Sequence, residues 1–399
     1  MPQKFRHMPE KTHLNVGYVR LTDSAPLIVA SEQKYFEKHG LHVTLKREKS
    51  WASIRDKLAT GILDAAQMLA PMPLATRLGL ENMASPFITG LMLSLNGNAI
   101  TLATGLCRQM EPPGDSYLTA VDAATALKRI IDSRQQQLTL ATVYPFSMHT
   151  FQLRQWLRSG GINLKKDVNL IVLPPEQMVE NLSRGSIDGF CVGEPWNTVA
   201  VQAGVGEVLA TGYEIWNNAP EKVLAVMEPW HLANPNAHLR LRMAVMEAQA
   251  WLAQDGNRQK ASRFIASPCY LDLPRQAITP SLLGHFQRKK NGPTSNNPDF
   301  HVFHRYHAGF PWRSRAEWLL RRTYEVLDKP IDCEDICPLI KKVYRTDLYR
   351  QAALALGRES PSLDFKSEGT QDKVHRFENG IELGPDLILG NQRFTPCLC

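Results

Sequence analysis

Hydrophobic and polar positions alternate with two different periods along the first seventy residues. Period two is typical of half-buried strands, and a period near 3.6 is typical of amphipathic helices. The alternation predicts, in chain order, a strand at 13–19, a helix at 25–40, a strand at 41–45, a helix at 52–61 and a buried strand or turn at 62–69. Gly40 and Gly61 close the two helical stretches, as glycine often does at helix ends. The result is a strand–helix–strand–helix–strand unit.

The same order of elements returns about 124 residues later. The second series consists of a strand at 137–143, a helix at 147–161, a strand at 168–173, a helix at 175–185 and a strand at 186–193. Both series carry a glycine three residues before an aspartate, Gly61 before Asp64 and Gly185 before Asp188. Such units form parallel sheets with right-handed crossovers. We therefore expect two α/β lobes facing each other across a cleft, in preference to two unrelated α/β domains without a shared site.

The chain after residue 193 returns to the first lobe. A strand at 221–227 and a long helix at 235–254 are predicted there, which gives a hinge of two segments and closure around a small ligand. The predicted organisation is lobe 1 at 13–105, lobe 2 at 106–220, a return to lobe 1 at 221–330 and a helical C-terminal extension at 331–399. We expect the last twenty residues to be loosely packed.

Composition narrows the class of protein. The 399 residues are 43% hydrophobic and 21% charged, which is typical of globular domains, and the net charge of +7 is spread along the chain. Short basic runs favour a solvated surface over a nucleic-acid face. No apolar run of about 18 residues predicts a membrane span, and the N-terminus has no apolar signal region. Seven scattered cysteines do not suggest a disulfide framework. We therefore expect a cytoplasmic, reduced protein without direct contact with nucleic acid or membrane.

Several stretches resemble the nitrate/bicarbonate-binding proteins of ABC-type uptake systems. The similarity covers residues 13–330 in order and includes "VGYVRLTDSAPLIVASEQKYFEKHGL", "SWASIRDKLATG", "NGNAITL", "GEPW" and "FPWRSRAEWLL". It implies a two-lobed, type II periplasmic-binding-protein-like α/β fold. The expected lack of a signal, together with "YRTDLYRQAALALG", resembles the cytoplasmic NasS type, a nitrate/nitrite sensor. The resemblance then implies that an RNA-binding antiterminator of the NasT type is held inactive until the anion binds.

The resemblance also implies a set of nitrate ligands. These are Trp51, Asn96, His149 and Lys222, with Gly193 contributing main chain. Nitrate is a flat monoanion with three acceptor oxygens, so it needs converging donors and one balancing positive charge.

Each implied ligand has a plain structural alternative. The indole N–H of Trp51 only donates and stands at a helix start, although a tryptophan there can simply pack at a domain edge. Asn96 could instead form an Asn-Gly turn, with Asn98 taking over its role. His149 would make binding sensitive to pH near neutrality, although a lone histidine is more often a surface or core residue. Lys222 would supply the single positive charge, whereas a bare lysine there would usually be solvated. The bicarbonate-type relatives place an acid near this point and recruit calcium, so a lysine argues against a metal.

Other residues were assigned supporting roles or none. Gln67, Met72, Pro73 and Pro195 are predicted to line the pocket. We predict neither catalytic residues nor a cofactor nor a metal site. The spacings Cys333–Cys337 and Cys397–Cys399 are not usual zinc pairs, and the histidine row 301, 304 and 307 lacks nearby partner ligands.

The sequence leaves two readings of function. The main hypothesis is the cytoplasmic nitrate/nitrite sensor that sequesters an antiterminator and controls nitrate assimilation genes. The alternative is the solute-binding domain of an ABC transporter for nitrate, bicarbonate or cyanate, fused to or docked on an ATPase. An enzyme is disfavoured because no nucleophile–base pair or cofactor motif is visible.

Overall fold

Two mixed β-sheets with helices packed around them form the two lobes of the molecule. The computed structural model describes residues 8–80, 84–110, 117–134, 136–377 and 380–397. The first sheet has six strands in the order β13-β4-β10-β3-β1-β2, and the second has five in the order β7-β6-β8-β5-β9. The predicted fold class, a two-lobed periplasmic-binding-protein-like α/β fold, is confirmed.

The strands of the first sheet are β1 (His13–Val19), β2 (His42–Glu48), β3 (Ala65–Leu69), β4 (Phe87–Asn96), β10 (Pro220–Met227) and β13 (His301–Val302). Those of the second sheet are β5 (Asn98–Ala103), β6 (Leu138–Thr142), β7 (Val168–Val172), β8 (Gly189–Gly193) and β9 (Gly206–Thr211). Two smaller two-stranded sheets pair β11 (His285–Gln287) with β12 (Thr294–Asn296), and β14 (His375–Arg376) with β15 (Glu382–Leu383).

Seventeen α-helices lie in the described residues. They are α1 (Ala25–Glu32), α2 (Tyr35–Lys38), α3 (Trp51–Ala59), α4 (Met72–Arg77), α5 (Thr104–Cys107), α6 (Ala120–Ser133), α7 (Met148–Ser159), α8 (Met178–Ser183), α9 (Trp196–Ala203), α10 (Gly212–Ile215), α11 (Glu228–Ala233), α12 (Pro235–Leu252), α13 (Asn257–Ala266), α14 (Arg275–Leu283), α15 (Arg313–Val326), α16 (Cys333–Val343) and α17 (Thr346–Ala355). The predicted helix at 25–40 is two helices, α1 and α2, because Lys34 between them has a left-handed backbone with φ of 56°.

The repeat seen in the sequence has a structural basis. In each lobe the three strands of the repeat run parallel, as β2-β1-β3 and as β7-β6-β8. Asp64 and Asp188 play equivalent parts: the Asp64 carboxylate accepts from the Asn15 amide at 2.9 Å, and that of Asp188 from the Thr139 amide at 2.8 Å. Each aspartate thus ties the end of its glycine turn to the first strand of its own repeat unit, β1 or β6.

The chain passes between the sheets at two places. β4 ends at Asn96 in the first sheet and β5 begins at Asn98 in the second, so the crossing is at Gly97. The return runs from β9 to β10, which lies antiparallel between β3 and β4. These strands give each parallel unit antiparallel neighbours, which the sequence pattern did not predict. The predicted domain limits at 105 and 220 stay predictions.

The C-terminal extension is packed against both lobes. Leu348 and Tyr349 of α17 belong to the apolar core of the first lobe. Ile388 is buried and pairs with Trp216 in an isolated β-bridge. The expectation of a loosely packed end is therefore wrong for residues 380–397. Among the described residues, no helix combines the length and apolarity needed to cross a bilayer.

We expect the Asp64→Ala substitution to lower the free energy of unfolding by about 2–3 kcal/mol. The Asp64 side chain is 4% exposed and accepts from three donors: the Asn15 amide, Lys11 Nζ at 2.6 Å and Trp230 Nε1 at 2.9 Å. Urea unfolding measures the change. Asp132→Ala removes an exposed carboxylate and should cost less than about 0.5 kcal/mol. Equal effects of the two substitutions would contradict the role given to Asp64.

Candidate functional site

Two helices, one from each lobe, begin at the cleft. Ser50 caps α3, its Oγ accepting from the Ser53 amide at 3.2 Å, so Trp51 is the first helical residue. Ser147 caps α7 in the same way through the Thr150 amide, so His149 is the second helical residue. Each cap satisfies one of the amides that a helix start leaves without a partner. The Trp51 and His149 side chains are 1% and 0% exposed.

Lys222 on β10 lies close to Trp51, and its neighbour Glu221 lies close to His149. Its Nζ lies 5.4 Å from the Trp51 ring centroid, within the range of a cation–π contact. His149 Nε2 lies 3.8 Å from Oε1 of Glu221, the residue next to Lys222. The structure therefore brings together Trp51, His149 and Lys222, as the resemblance implied.

The positive charge of Lys222 is already balanced. Its Nζ lies 2.8 Å from Asp23 Oδ2 and donates to Glu221 Oε1 at 2.5 Å, and none of the three side chains is more than 1% exposed. The expectation that Lys222 acts as a free compensating charge is wrong, because two buried carboxylates share it. The sequence reasoning missed Asp23 and Glu221.

Asn98, and not Asn96, faces this group. Asn98 Nδ2 donates to Glu221 Oε2 and to Gln152 Oε1. Asn96 has a left-handed backbone with φ of 60°, and its Nδ2 donates to the Asp299 carbonyl at 2.8 Å. Its Oδ1 accepts from the Ala219 amide at 2.9 Å. The prediction for Asn96 is therefore corrected. Its side chain bonds to the main chain beside the crossing between the lobes, and the side chain of Asn98 reaches the cleft.

The side-chain amide of Gln67 contacts Asp23, the other carboxylate paired with Lys222. Gln67 Nε2 donates to Asp23 Oδ1 at 2.6 Å, while its Oε1 accepts from the Val19 amide at 3.0 Å. The neighbouring Thr22 amide donates to the Glu194 carbonyl of the other lobe at 2.7 Å. Gln67 therefore orients a carboxylate of the site, which is more specific than the lining role predicted for it.

Gly193 borders the same group at the end of β8. A Cβ at this position would lie 3.5 Å from Asn98 Oδ1 and 3.6 Å from Asp23 Oδ2. Asp23, Trp51, Asn98, His149, Gly193, Glu221 and Lys222 are called the cleft cluster below.

The remaining residues predicted to line the pocket are Met72, Pro73 and Pro195. Met72 and Pro73 begin α4 and are buried, and Met72 packs in the same apolar core as Trp51. Pro195 follows a cis peptide bond and caps α9.

Several polar atoms of the site are buried without a hydrogen-bond partner. Trp51 Nε1, both ring nitrogens of His149, and Thr22 Oγ1 have no hydrogen-bond partner among the described residues. Buried polar atoms are usually satisfied, so this concentration of unpartnered atoms indicates a place for a small polar ligand. Asn98 Oδ1, an acceptor, is also without a partner.

Burial sets the protonation states of the cluster. It lowers the pKa of His149 well below its ordinary value, with a further contribution from Lys222. The expected titration of His149 near neutrality is therefore wrong, and the ring is neutral there. Burial raises the pKa of Glu221, although Lys222 opposes the shift. Burial also acts to lower the pKa of Lys222, but Asp23 and Glu221 outweigh it and the pKa lies above its ordinary value.

Contacts between the lobes close the cleft over the site. Arg20 of the first lobe pairs with Glu176 of the second at 2.8 Å. Arg55 on α3 donates to the Tyr144 hydroxyl at 2.9 Å. These two contacts join the lobes directly, and the side chains of the cleft cluster are buried between them.

No group of three or more potential metal-ligating residues occurs among the described residues. The histidines of the row separate: His301 lies buried on β13, while His304 and His307 lie in the following turn.

Cys337 is disulfide-bonded, unlike the reduced state expected for the cysteines. Cys399 lies outside the described residues.

The fold and the cleft cluster define a two-lobed α/β binding protein with a buried polar site between its lobes. A model described as the NMT1-like family matches residues 7–266, and the chain belongs to that family. It is 33% identical over 388 residues to the nitrate/nitrite binding protein NrtA of Synechococcus elongatus, covering 95% of this chain and 85% of that protein.

Two further similarities extend over nearly the whole chain. The crystal structure of the periplasmic nitrate-binding protein NrtA from Synechocystis matches with a TM-score of 0.83 and 29% identity, covering 95% of this chain and 97% of that one. The nitrate import ATP-binding protein NrtC of Synechocystis sp. is 38% identical over 391 residues, covering 97% of this chain and 56% of that protein. The chain spans about half the length of the ATP-binding relatives it matches. These relatives are binding or transport proteins by name, and no catalytic arrangement was predicted for this chain.

We expect Lys222→Met to lower the free energy of unfolding by about 3–5 kcal/mol near neutral pH, because two buried carboxylates lose their shared cation. Burial raises the pKa of Glu221 and Lys222 opposes that shift, so without the cation the Glu221 carboxyl group holds its proton still more strongly in the folded state than in the unfolded one. The deficit against the native protein should therefore shrink as pH falls. Chemical denaturation at about pH 5 and about pH 8 measures it.

Lys165→Met is the matched control, since Lys165 and its partner Asp328 are exposed. This change should cost less than about 0.5 kcal/mol at either pH. A Lys222→Met deficit that is small, or that stays constant between the two pH values, would contradict the electrostatic account.

Proposed function

We propose that this protein binds nitrate or nitrite between its lobes and converts occupancy into lobe closure. The observation that carries the proposal is the set of buried, unpartnered N–H donors, from Trp51 on one lobe and His149 on the other, in a chain homologous to NrtA. A flat anion placed between them would accept from both lobes at once, so its binding would favour the closed form. The two helix N-termini add favourable partial charge.

We propose that the components of an ABC transporter recognise the closed form of this protein. The support is the similarity to NrtA and to part of NrtC, which favours the solute-binding alternative of the sequence reading over the sensor. A domain of this kind would act next to an ATP-binding subunit and a permease, fused or docked. The release of an antiterminator of the NasT type, and a cytoplasmic location, stay predictions without support from the relatives.

Calorimetric titration of the purified chain with nitrate, nitrite, bicarbonate and sulfate tests the proposal. We expect saturable binding of nitrate or nitrite, and weaker binding or none of sulfate, which carries a second charge. Each titration is run with calcium and with a chelator, because the sequence resemblance implies that bicarbonate-type members of the family recruit that metal. Failure of every oxyanion to bind under both conditions would reject the proposed function.

Trp51→Phe should weaken nitrate binding about tenfold or more, because a buried hydrogen bond to an anion is lost while the aromatic ring is kept. Trp251→Phe is the control: this tryptophan lies on α12 and stacks on Phe264, outside the cleft cluster. Titration calorimetry of both variants measures the effect. An unchanged affinity in Trp51→Phe would remove the indole from the ligand set.

A further inference from the structure

The cleft cluster holds more negative than positive charge before any anion enters. Lys222 contributes one positive charge, whereas Asp23 and Glu221 contribute two carboxylates, and all three are buried together. His149 is neutral, so it does not alter the sum. A monoanion added to two ionised carboxylates would leave three negative charges against one positive charge in a region shielded from water. Uncompensated buried charge of this kind is strongly unfavourable.

We propose that nitrate and a proton enter this site together, with the proton held by the Glu221 carboxyl group. The inference rests on the proposed function and extends it by naming the residue that makes anion binding possible. In this arrangement Glu221 determines which ligands are accepted, because the one proton that it takes up offsets the single negative charge of a monoanion and no more.

The geometry selects Glu221 among the groups of the cluster. Its Oε1 lies between Lys222 Nζ at 2.5 Å and His149 Nε2 at 3.8 Å, so this oxygen faces the donor atoms of the second lobe. Asp23 Oδ1 accepts from Gln67 and Asp23 Oδ2 lies 2.8 Å from Lys222 Nζ, but neither oxygen pairs with His149 among the described residues. Of the other titratable groups, the Cys191 thiol on β8 also faces Glu221 and is neutral, because burial raises its pKa. The raised pKa of Glu221 agrees with this assignment.

The step balances without a further reactant. Nitrate is the anion of a strong acid and brings no proton, so the proton comes from solvent and forms an O–H bond on the Glu221 carboxylate. The resulting hydroxyl can donate to a nitrate oxygen or to His149, while Lys222 stays paired with Asp23. One negative and one positive charge have entered, so the net charge of the site is unchanged. When nitrate leaves, the O–H bond breaks and the proton returns to solvent.

Titration calorimetry with nitrate in pairs of buffers that differ in ionisation enthalpy tests the proposal. At a pH where free Glu221 is ionised, we expect uptake of about one proton for each nitrate bound. The association constant should then fall about tenfold for each unit rise in pH, and it should level off at lower pH. Calcium and chelator arms accompany each titration.

Glu221→Gln is the decisive variant, since the glutamine amide has the shape and a donor of the protonated carboxyl group. We expect nitrate binding without proton uptake, an affinity independent of pH, and tighter binding than the native protein at high pH. Glu368→Gln is the matched control. Glu368 is also buried beside a lysine shared by two carboxylates, with Lys366 Nζ 2.5 Å from Glu368 and 2.8 Å from Asp386, but outside the cleft. This variant should keep the native proton uptake.

The outcomes of these titrations distinguish failure of the proton proposal from failure of the proposed nitrate binding. Absence of nitrate binding at every pH rejects the proposed function itself. Nitrate binding with no proton uptake, or binding that requires calcium in place of a proton, overturns the inference and leaves the function standing. Unchanged uptake in Glu221→Gln also overturns it, because the proton would then reside on another group such as His149.

Discussion

The buried ion group of Lys222 with Asp23 and Glu221 connects the parts of this molecule that must act together. Asp23 follows the first strand of lobe 1, whereas Glu221 and Lys222 lie on β10, where the chain returns from lobe 2. Asn98, on the first strand of lobe 2, donates to Glu221. Removing three charges from water costs free energy, and only mutual pairing offsets that cost. The strands at which the chain crosses between the lobes, and the charge available to a ligand, therefore depend on one set of contacts.

Closure of the lobes makes this charge arrangement consequential. In an open, wet cleft, water would screen the carboxylates and an anion could bind loosely beside them. With Arg20 paired to Glu176 and Arg55 to Tyr144 across the cleft, the cluster is shielded from solvent, and each imbalance of charge has a larger effect. The same shielding would strengthen the hydrogen bond that we propose from the Trp51 indole to a ligand. Selectivity and closure thus have a common physical origin.

Local patterns allowed much of the fold and part of the site to be predicted. The strand at 13–19 and the helices predicted at 52–61 and 147–161 depend on neighbours in sequence, so they could be predicted directly. The role of Glu221 could not, because alternation places residues 221 and 222 on opposite faces of a strand. The register of β10 against β4 is irregular between Pro220 and Val223, and a bulge of this kind re-aims side chains. The role of Asn96 likewise depends on Asp299, about two hundred residues away.

The charge count also explains how one fold can serve different oxyanions with few changes. A site with one lysine and two carboxylates can reach balance around a monoanion by taking up one proton. A dianion would add a second negative charge to the same buried group, which the uptake of one proton cannot offset. Replacing the proton by a divalent cation would suit a ligand that binds metal well, such as bicarbonate, but would place two more positive charges beside Lys222. Under the proposed entry of nitrate with a proton, the carboxylates near the lysine, more than the lysine alone, set the charge of the ligand that this cleft can accept.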